Sequence, residues 1–283
     1  VFGIKGPYKK SPIVRALIAL GPAYIKFGQL LSTRPDIVGA DLANELKVLQ
    51  DSLDPFPTTE AIKIVNEELG SPVESVFSSF SDAVAAASIA QVHKATVKET
   101  KELVAVKILR PDVEKVFLKD LAALLFLAKF IEIIIPSFRR LKPTEGINHF
   151  ERLVREELDL RMEISAAAEF AENTKSDRNF YVPKVIWSLS GRRVVTTEWV
   201  DGMSVGDIDR IKKSGVDIES FAKRIIKTFL TQALRDGFFH GDMHQGNLKC
   251  RSDGTLIVMD FGIMGRIDEY TSCLLYTSPS PRD

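Results

Sequence analysis

His240-Gly241-Asp242-Met243-His244-Gln245-Gly246-Asn247, and beyond it Asp260-Phe261-Gly262 after the apolar run Leu256-Ile257-Val258-Met259, decide how this chain is read. Phosphoryl transfer from a nucleotide needs one carboxylate to orient or deprotonate the acceptor. It also needs an amide and a second carboxylate to hold the metal ions that bridge the phosphates. Asp242 suits the first role. Asn247 and Asp260 suit the second, because both present the hard oxygens that Mg2+ prefers. Lys249 to Met259, between the two parts, reads as a hairpin turning at Asp253-Gly254. Each part alone is weak: Asp-Phe-Gly arises easily by chance, and a His/Asp-rich turn before a hairpin is unremarkable. Together and in this order they are specific for a kinase-type site. A zinc site is disfavoured, since His240 and His244 have no Cys partners at zinc spacing and Cys250 stands alone.

Working outward, Leu103-Val104-Ala105-Val106-Lys107-Ile108-Leu109 is a β-branched strand carrying one lysine. A charge inside a strand needs a partner. Glu156-Glu157-Leu158-Asp159-Leu160-Arg161-Met162-Glu163 offers several, and the spacing predicts that Asp159 and Glu163 share one helix face. A strand lysine paired with a helix glutamate is the device by which kinases hold the α- and β-phosphates. The position of a kinase glycine loop holds Ala85-Ala86-Ala87-Ser88-Ile89-Ala90-Gln91 instead. Alanine cannot take glycine's positive-φ conformations cheaply, so this loop should sit differently over the phosphates.

The rest of the chain agrees with an α+β fold. Apolar spacing predicts helices over 11–50, and Thr58-Thr59-Glu60 reads as a capped start of another helix running to Leu69-Gly70. Residues 76–109 read as strands with a charged turn near Lys98 to Lys101. Val116 to Ile135 is a long apolar helix, interrupted by Lys119, Asp120, Lys129 and Glu132, and so a packed or surface-lying helix rather than a membrane span. Helix signals return over 148–173 and 218–237, with strands at Tyr181-Val182 and Arg193 to Val200.

The chain has 283 residues, 38 basic and 38 acidic, for a net charge of +0. That balance argues against a nucleic-acid partner, which calls for a basic excess. Two cysteines cannot make a disulfide framework. The stretch Cys273 to Asp283 resembles a translated sequencing adapter and is expected to be an artefact, which leaves Cys250 as the natural cysteine. With no starting Met, the chain reads as a fragment. The organisation expected is a helical extension over 1–57, a kinase-like N-lobe with inserted helices over 58–200, and a truncated C-lobe over 201–272.

Lys26-Phe27-Gly28-Gln29, Ser88-Ile89-Ala90-Gln91-Val92-His93, Val104-Ala105-Val106-Lys107, Glu157-Leu158-Asp159, the His240 to Asn247 stretch and Asp260-Phe261-Gly262 occur together and in order. In this the chain resembles the UbiB family of atypical protein-kinase-like proteins of ubiquinone biosynthesis, over nearly all of 11–269. Gly241 to Gln245 looks most like the bacterial branch. The resemblance implies a two-lobed protein-kinase-like fold that binds ATP or ADP with Mg2+. It makes Asp242 the catalytic-loop aspartate, Lys107 the phosphate contact paired with Glu163, and Asn247 and Asp260 the metal ligands. Ala86, Ala87 and Ser88 would cover the phosphates, and Glu198 to Val200 would form the hinge beside the adenine. Lys26 and Gln29 would meet Glu157 and Asp159 in a latch that blocks peptide substrates and leaves room for a small or lipid-like ligand.

The function so implied is an atypical kinase or ATPase in ubiquinone biosynthesis. Its partners would be membrane lipid or a quinone precursor and the biosynthetic enzymes. Its place would be the cytoplasmic face of the bacterial inner membrane, with mitochondrion or plastid as alternatives. A nucleotide-gated, lipid-binding scaffold is the alternative from another class. An aminoglycoside- or choline-kinase-like phosphotransferase shares the His-x-Asp, Asn and Asp arrangement, but the Lys26 to Gln29 segment and the alanine loop speak against it. A hydroxylase finds no support, since neither a Gly-x-Gly-x-x-Gly fingerprint nor an iron-ligand cluster is present.

Overall fold

The computed structural model describes residues 11–50 and 54–268; Cys273 and the adapter-like tail lie outside the described residues. The described part mixes helices and sheets, as the α+β expectation requires. It divides into two compact units, Val1–Lys94 with Lys107–Leu158, and Ala95–Val106 with Asp159–Asp283.

The first unit begins with helix α1 (Pro12–Leu20), whose N-cap Ser11 accepts the Val14 N–H through its hydroxyl. Gly21, at φ 112°, turns the chain into α2 (Pro22–Ser32). Next come the short α3 (Pro35–Val38), α4 (Ala40–Leu46) and a 3-10 turn, Lys47–Gln50. Val14, Ile25, Leu46 and Leu49 form their core, with Leu17, Ile18, Leu31 and Leu42 packed around it. Gly28 of α2 faces Leu17, Leu46 and Leu49 of the neighbouring elements. A Cβ there would lie 2.4 Å from Leu49 Cδ1 and 3.0 Å from Leu17 Cδ1. Gly28→Ala should therefore destabilise the chain by about 1–3 kcal/mol through overpacking. Urea denaturation checks this, and an unchanged midpoint would mean the helices part freely.

Helix α5 (Thr58–Leu69) corrects one expectation. Its N-cap is Pro57 with no side-chain cap, and the Thr58 hydroxyl donates to Asp82 Oδ1 instead. The chain preferred a link to the next strand over a local cap. Gly70, left-handed at φ 66°, closes the helix as expected. A single turn α6 (Val73–Val76) leads to β1 (Phe77–Ala86), which lies beside β2 (Ala90–Val97). Strand β3 (Leu103–Leu109), whose residues up to Val106 belong to the second unit, is followed by the 22-residue α7 (Val113–Ile134), a 3-10 turn Pro136–Leu141, and α8 (Pro143–Glu157). Helix α7 packs on α8 and on α2. Among the described residues no helix is long and apolar enough to cross a membrane.

A second correction concerns Asp159 and Glu163, which were expected to share one helix face. The chain breaks at Leu158-Asp159, and α9 (Leu160–Asn173) starts anew. Asp159 is extended and accepts the Arg161 N–H as the N-cap of α9. It therefore lies outside the helix and does not share a helical face with Glu163, which sits in the first turn. Aspartate competes with backbone carbonyls inside a helix and is stable at its N-terminus, so the sequence favours the break.

In the second unit, β4 (Phe180–Tyr181) leads to β5 (Val194–Glu198), which lies beside β3, and to β6 (Met203–Ser204). Helices α10 (Ile208–Lys213) and α11 (Ile218–Thr231) follow; α11 runs into a π-helical turn, Gln232–Asp236, stopped by Gly237 at φ 60°. Then come β7 (Phe238–His240), β8 (Leu248–Cys250), β9 (Leu256–Val258) and β10 (Met264–Arg266). One sheet runs β4-β9-β8-β6, and β10 pairs with β7. Strands β8 and β9 form the expected hairpin, with Gly254 at φ 80° and Asp253 Oδ1 accepting the Thr255 N–H. Phe170, Phe238, Leu248, Leu256, Val258 and Phe261 are among the residues of the core beneath.

Candidate functional site

Two loops of the second unit carry the expected acids and amide. The first leaves β7 at His240 and returns at Asn247; the second leaves β9 and enters β10 through Asp260-Phe261-Gly262. His240, only 1% exposed, holds them together. The Asp242 backbone N–H donates to its Nδ1 at 3.1 Å, so Nδ1 bears no proton. Its Nε2 then carries the hydrogen and donates to the Asp260 carbonyl at 2.7 Å. The imidazole also packs edge-on against Phe261, whose ring meets Phe170 in the core. Two backbone bonds run parallel: Gly241 N–H to the Ile263 carbonyl at 2.9 Å and Met259 N–H to the Asn247 carbonyl at 2.8 Å.

Within the first loop, the Asn247 amide donates to the Asp242 carbonyl at 3.1 Å and lies 3.5 Å from Asp242 Oδ2. That fixes which end of the amide is Nδ2 and turns its Oδ1 the other way. His244 Nδ1 accepts the Gly246 N–H, and its Nε2 stands 3.6 Å from Asp242 Oδ2. Asp242 is partly exposed and Asn247 buried. Asp260 is exposed, at φ 58°, and its Oδ1 accepts the Gly262 N–H. A left-handed backbone at Asp is uncommon and turns the carboxylate out of strand register. Asn247 Oδ1 and the Asp260 carboxylate are hard oxygens, the kind of donor that Mg2+, Mn2+ and Ca2+ accept. Among the described residues no group of three or more His, Cys, Asp or Glu could hold a metal.

The loops are braced from below. Arg235 in the π-helical turn pairs with Asp177 and Asp236 and donates to the Asn173 carbonyl, tying the entry of β7 to the end of α9. Those carboxylates raise its guanidinium pKa further above an already high value. Arg266 on β10 grips Glu169 of α9 with two nitrogens.

The segment after β5 is equally tied down. The Glu198 carboxylate accepts the Tyr181 hydroxyl, and the Trp199 N–H donates to the Leu103 carbonyl. The buried Val200 gives its carbonyl to Lys249 Nζ at 3.0 Å, with that ammonium 5.6 Å from the Trp199 ring. Burial pulls the Lys249 pKa below its usual range, against the opposing pull of Asp201. Glu163 lies on α9 in this unit, whereas Lys107 lies on β3 in the first, half-buried on the face opposite Val104, Val106 and Ile108.

The first unit holds the other expected site residues. Lys26 on α2 and Glu157 at the end of α8 form an ion pair of 2.6 Å, with side chains 22% and 15% exposed. Gln29, one turn on, donates to the Leu49 carbonyl at 2.7 Å. Phe27 packs on Phe150 of α8. Asp159, in the second unit, is paired with Arg161, which holds its carboxyl below the usual range. In the alanine loop the Ala87 N–H donates to the Ala90 carbonyl, closing a tight turn, and Ala86 ends β1; Ser88 is buried.

Two devices escaped the sequence reading. Arg110, just past β3, donates through Nε and Nη2 to the Ala87 carbonyl and through Nη2 to the Asp54 carbonyl, and lies over the Phe56 ring. The buried Gln91 clasps Phe56 at both backbone N–H and carbonyl, and its Nε2 donates to His93 Nε2. His93 therefore carries its proton on Nδ1, which donates to the Ser81 carbonyl. Burial lowers the His93 pKa, so the ring is kept neutral.

A family model described as the ABC1 atypical kinase-like domain matches residues 48–278. A protein of Aliivibrio fischeri named "Probable protein kinase UbiB" is 38% identical over 278 residues, 95% of this chain and 51% of that protein. One of the same name from Marinobacter nauticus is 38% identical over 257 residues, covering 89% and 47%. The chain spans about half the length of these curated relatives. Among solved structures, Rv3197 of Mycobacterium tuberculosis, in complex with erythromycin, is similar with a TM-score of 0.60 and 28% identity, over 87% of this chain and 61% of that one.

Proposed function

Because the chain belongs to the ABC1 atypical kinase-like family, we propose that it binds a magnesium nucleotide and acts as an atypical ATPase or kinase supporting ubiquinone biosynthesis at a membrane, with a small or lipid-like acceptor. The observation that carries this reading is His240, one imidazole bonded to both the loop of Asp242 and Asn247 and the loop of Asp260. Such a tie holds together the backbones of the two loops that carry a carboxylate, an amide and a second carboxylate, and positional catalysis of phosphoryl transfer requires groups held in place in this way. Asn247 Oδ1 and Asp260 would hold Mg2+, which when bound neutralises charge on the phosphate oxygens. Asp242 orients the attacking hydroxyl or water and accepts its proton. Lys107 contacts the phosphates, Ala86 to Ser88 cover them, and Glu198 to Val200 border the base. The Lys26–Glu157 ion pair serves as the latch that keeps peptides out.

The test is Mg-dependent nucleotide binding by calorimetry, then ATP hydrolysis with and without lipid vesicles and a quinone-precursor phenol. Hydrolysis that needs Mg2+ and rises with lipid supports the reading. Nucleotide binding without turnover under every condition replaces it with the nucleotide-gated scaffold, and absence of binding ends both.

The alanine loop gives a finer test. Ala87 is held by its own N–H and by Arg110 on its carbonyl, so Ala87→Gly loosens a turn that is otherwise fixed. The ratio of ADP to ATP affinity should shift by about two- to fivefold, the size of a glycine's conformational freedom. Calorimetric titration of both nucleotides reads it, and an unchanged ratio removes this loop from nucleotide discrimination.

A further inference from the structure

Helix α7 buries one face and leaves an unusually apolar one outside. Val113, Phe117, Leu121, Leu124 and Ala128 are buried. The opposite face carries Phe126, Leu127, Phe130, Ile133 and Ile134, which are 50–73% exposed. The rings of Phe126 and Phe130 stack on each other at 6.3 Å, outside the core. Folded chains rarely leave a contiguous patch of this kind in water unless something covers it. The turn Pro136–Leu141 that follows adds Leu141, 59% exposed, between the exposed Arg140 and Lys142.

The charge around this patch points to its cover. Phe126 to Leu141 contains Lys129, Arg139 and Arg140 against the single acid Glu132, in a chain whose net charge is +0, while Lys142 just beyond is paired with Glu145 at 2.9 Å. Aromatic and aliphatic side chains on one helix face, bordered by cations, are the composition of a helix lying in the interface of an anionic bilayer. A buried protein contact would need those cations paired, whereas lipid phosphates supply the counter-charge in quantity. Helix α7 does not qualify as a span, so it would lie on the membrane rather than cross it.

We propose that the outer face of α7, with the basic turn after it, docks on an anionic lipid surface. This deepens the membrane part of the proposed function by naming the surface that would meet lipid. Helix α7 packs against α2 and α8, which carry Lys26 and Glu157, so docking would act on the scaffold of that ion pair.

The experiment is co-sedimentation of the chain with vesicles of phosphatidylcholine alone and of phosphatidylcholine with phosphatidylglycerol, at low and high salt. The variants are Phe126→Glu with Phe130→Glu, and Lys129→Glu with Arg140→Glu. All four side chains lie outside the core, so urea midpoints and nucleotide affinity should match the parent. The chain should prefer the anionic vesicles, the phenylalanine pair should cost at least about tenfold in partition, and the charge pair should abolish the preference. Binding to neither vesicle, or variants that bind like the parent, overturns the proposal. If the phenylalanine pair instead turns a dimer into a monomer with vesicle binding unchanged, a second copy covers the face and the proposal also falls. Nucleotide binding is read separately: vesicle binding by a chain that binds no nucleotide sinks the proposed activity and leaves the docking surface standing.

Discussion

Asp260→Asn should lower Mg-dependent nucleotide turnover on the order of a hundredfold or more, the scale of removing one preorganised charge contact from a phosphoryl-transfer site. The substitution is clean for a structural reason. Asp260 sits at φ 58°, a backbone that Asn tolerates about as well as Asp. Its Oδ1 accepts the Gly262 N–H, and an amide oxygen can do the same. The residue is exposed, so stability should move by less than about 0.5 kcal/mol. Only the negative charge goes. Asp260→Ala is a poorer test, because it adds left-handed strain of about 1–2 kcal/mol to the loss of the carboxylate. Turnover and Mg2+ titration measured side by side give the answer: normal turnover in Asp260→Asn would remove Asp260 from the metal site.

The sequence disclosed the parts of this molecule that follow local rules. The hairpin β8–β9, its Asp253-Gly254 turn, the Gly237 stop and the Gly70 stop were all legible, because positive-φ positions recruit particular residues. The acids and amide of the two loops were legible from spacing. What sequence reasoning missed depends on distance along the chain. Thr58 bonds Asp82 rather than capping its own helix. Arg110 reaches Asp54 and Ala87, neither of them a sequence neighbour. Gln91 and His93 did leave a signal: they share strand parity with the buried Ala95 and Val97, so alternation alone placed two polar side chains on the buried face. Buried polar groups need partners, and that requirement marks them as organisers of the segment around Phe56. The break at Leu158-Asp159 was open to the same reasoning, since an Asp followed by a fresh apolar-periodic run is a helix start.

His240→Ala should have the largest effect on stability, about 3–5 kcal/mol. Two contributions add. The Asp242 N–H and the Asp260 carbonyl lose their partner together, in a place too buried for water to replace it without rearrangement. A cavity also opens beside Phe261, whose ring rests on Phe170 and so transmits the loss to the core of the second unit. The loops would not separate, because Gly241 N–H to Ile263 and Met259 N–H to Asn247 still join them. They would lose the one side chain that sets the position of Asp242 against Asp260, so Mg-nucleotide affinity of the folded fraction should fall at least about tenfold as positioning is lost. Urea denaturation and calorimetry on the same preparation separate the two effects. A stability loss below about 1 kcal/mol would mean that the two backbone bonds hold the loops unaided. A full stability loss with unchanged nucleotide affinity would mean that His240 supports the fold alone, and the geometry that carries the proposed function would have to be sought elsewhere.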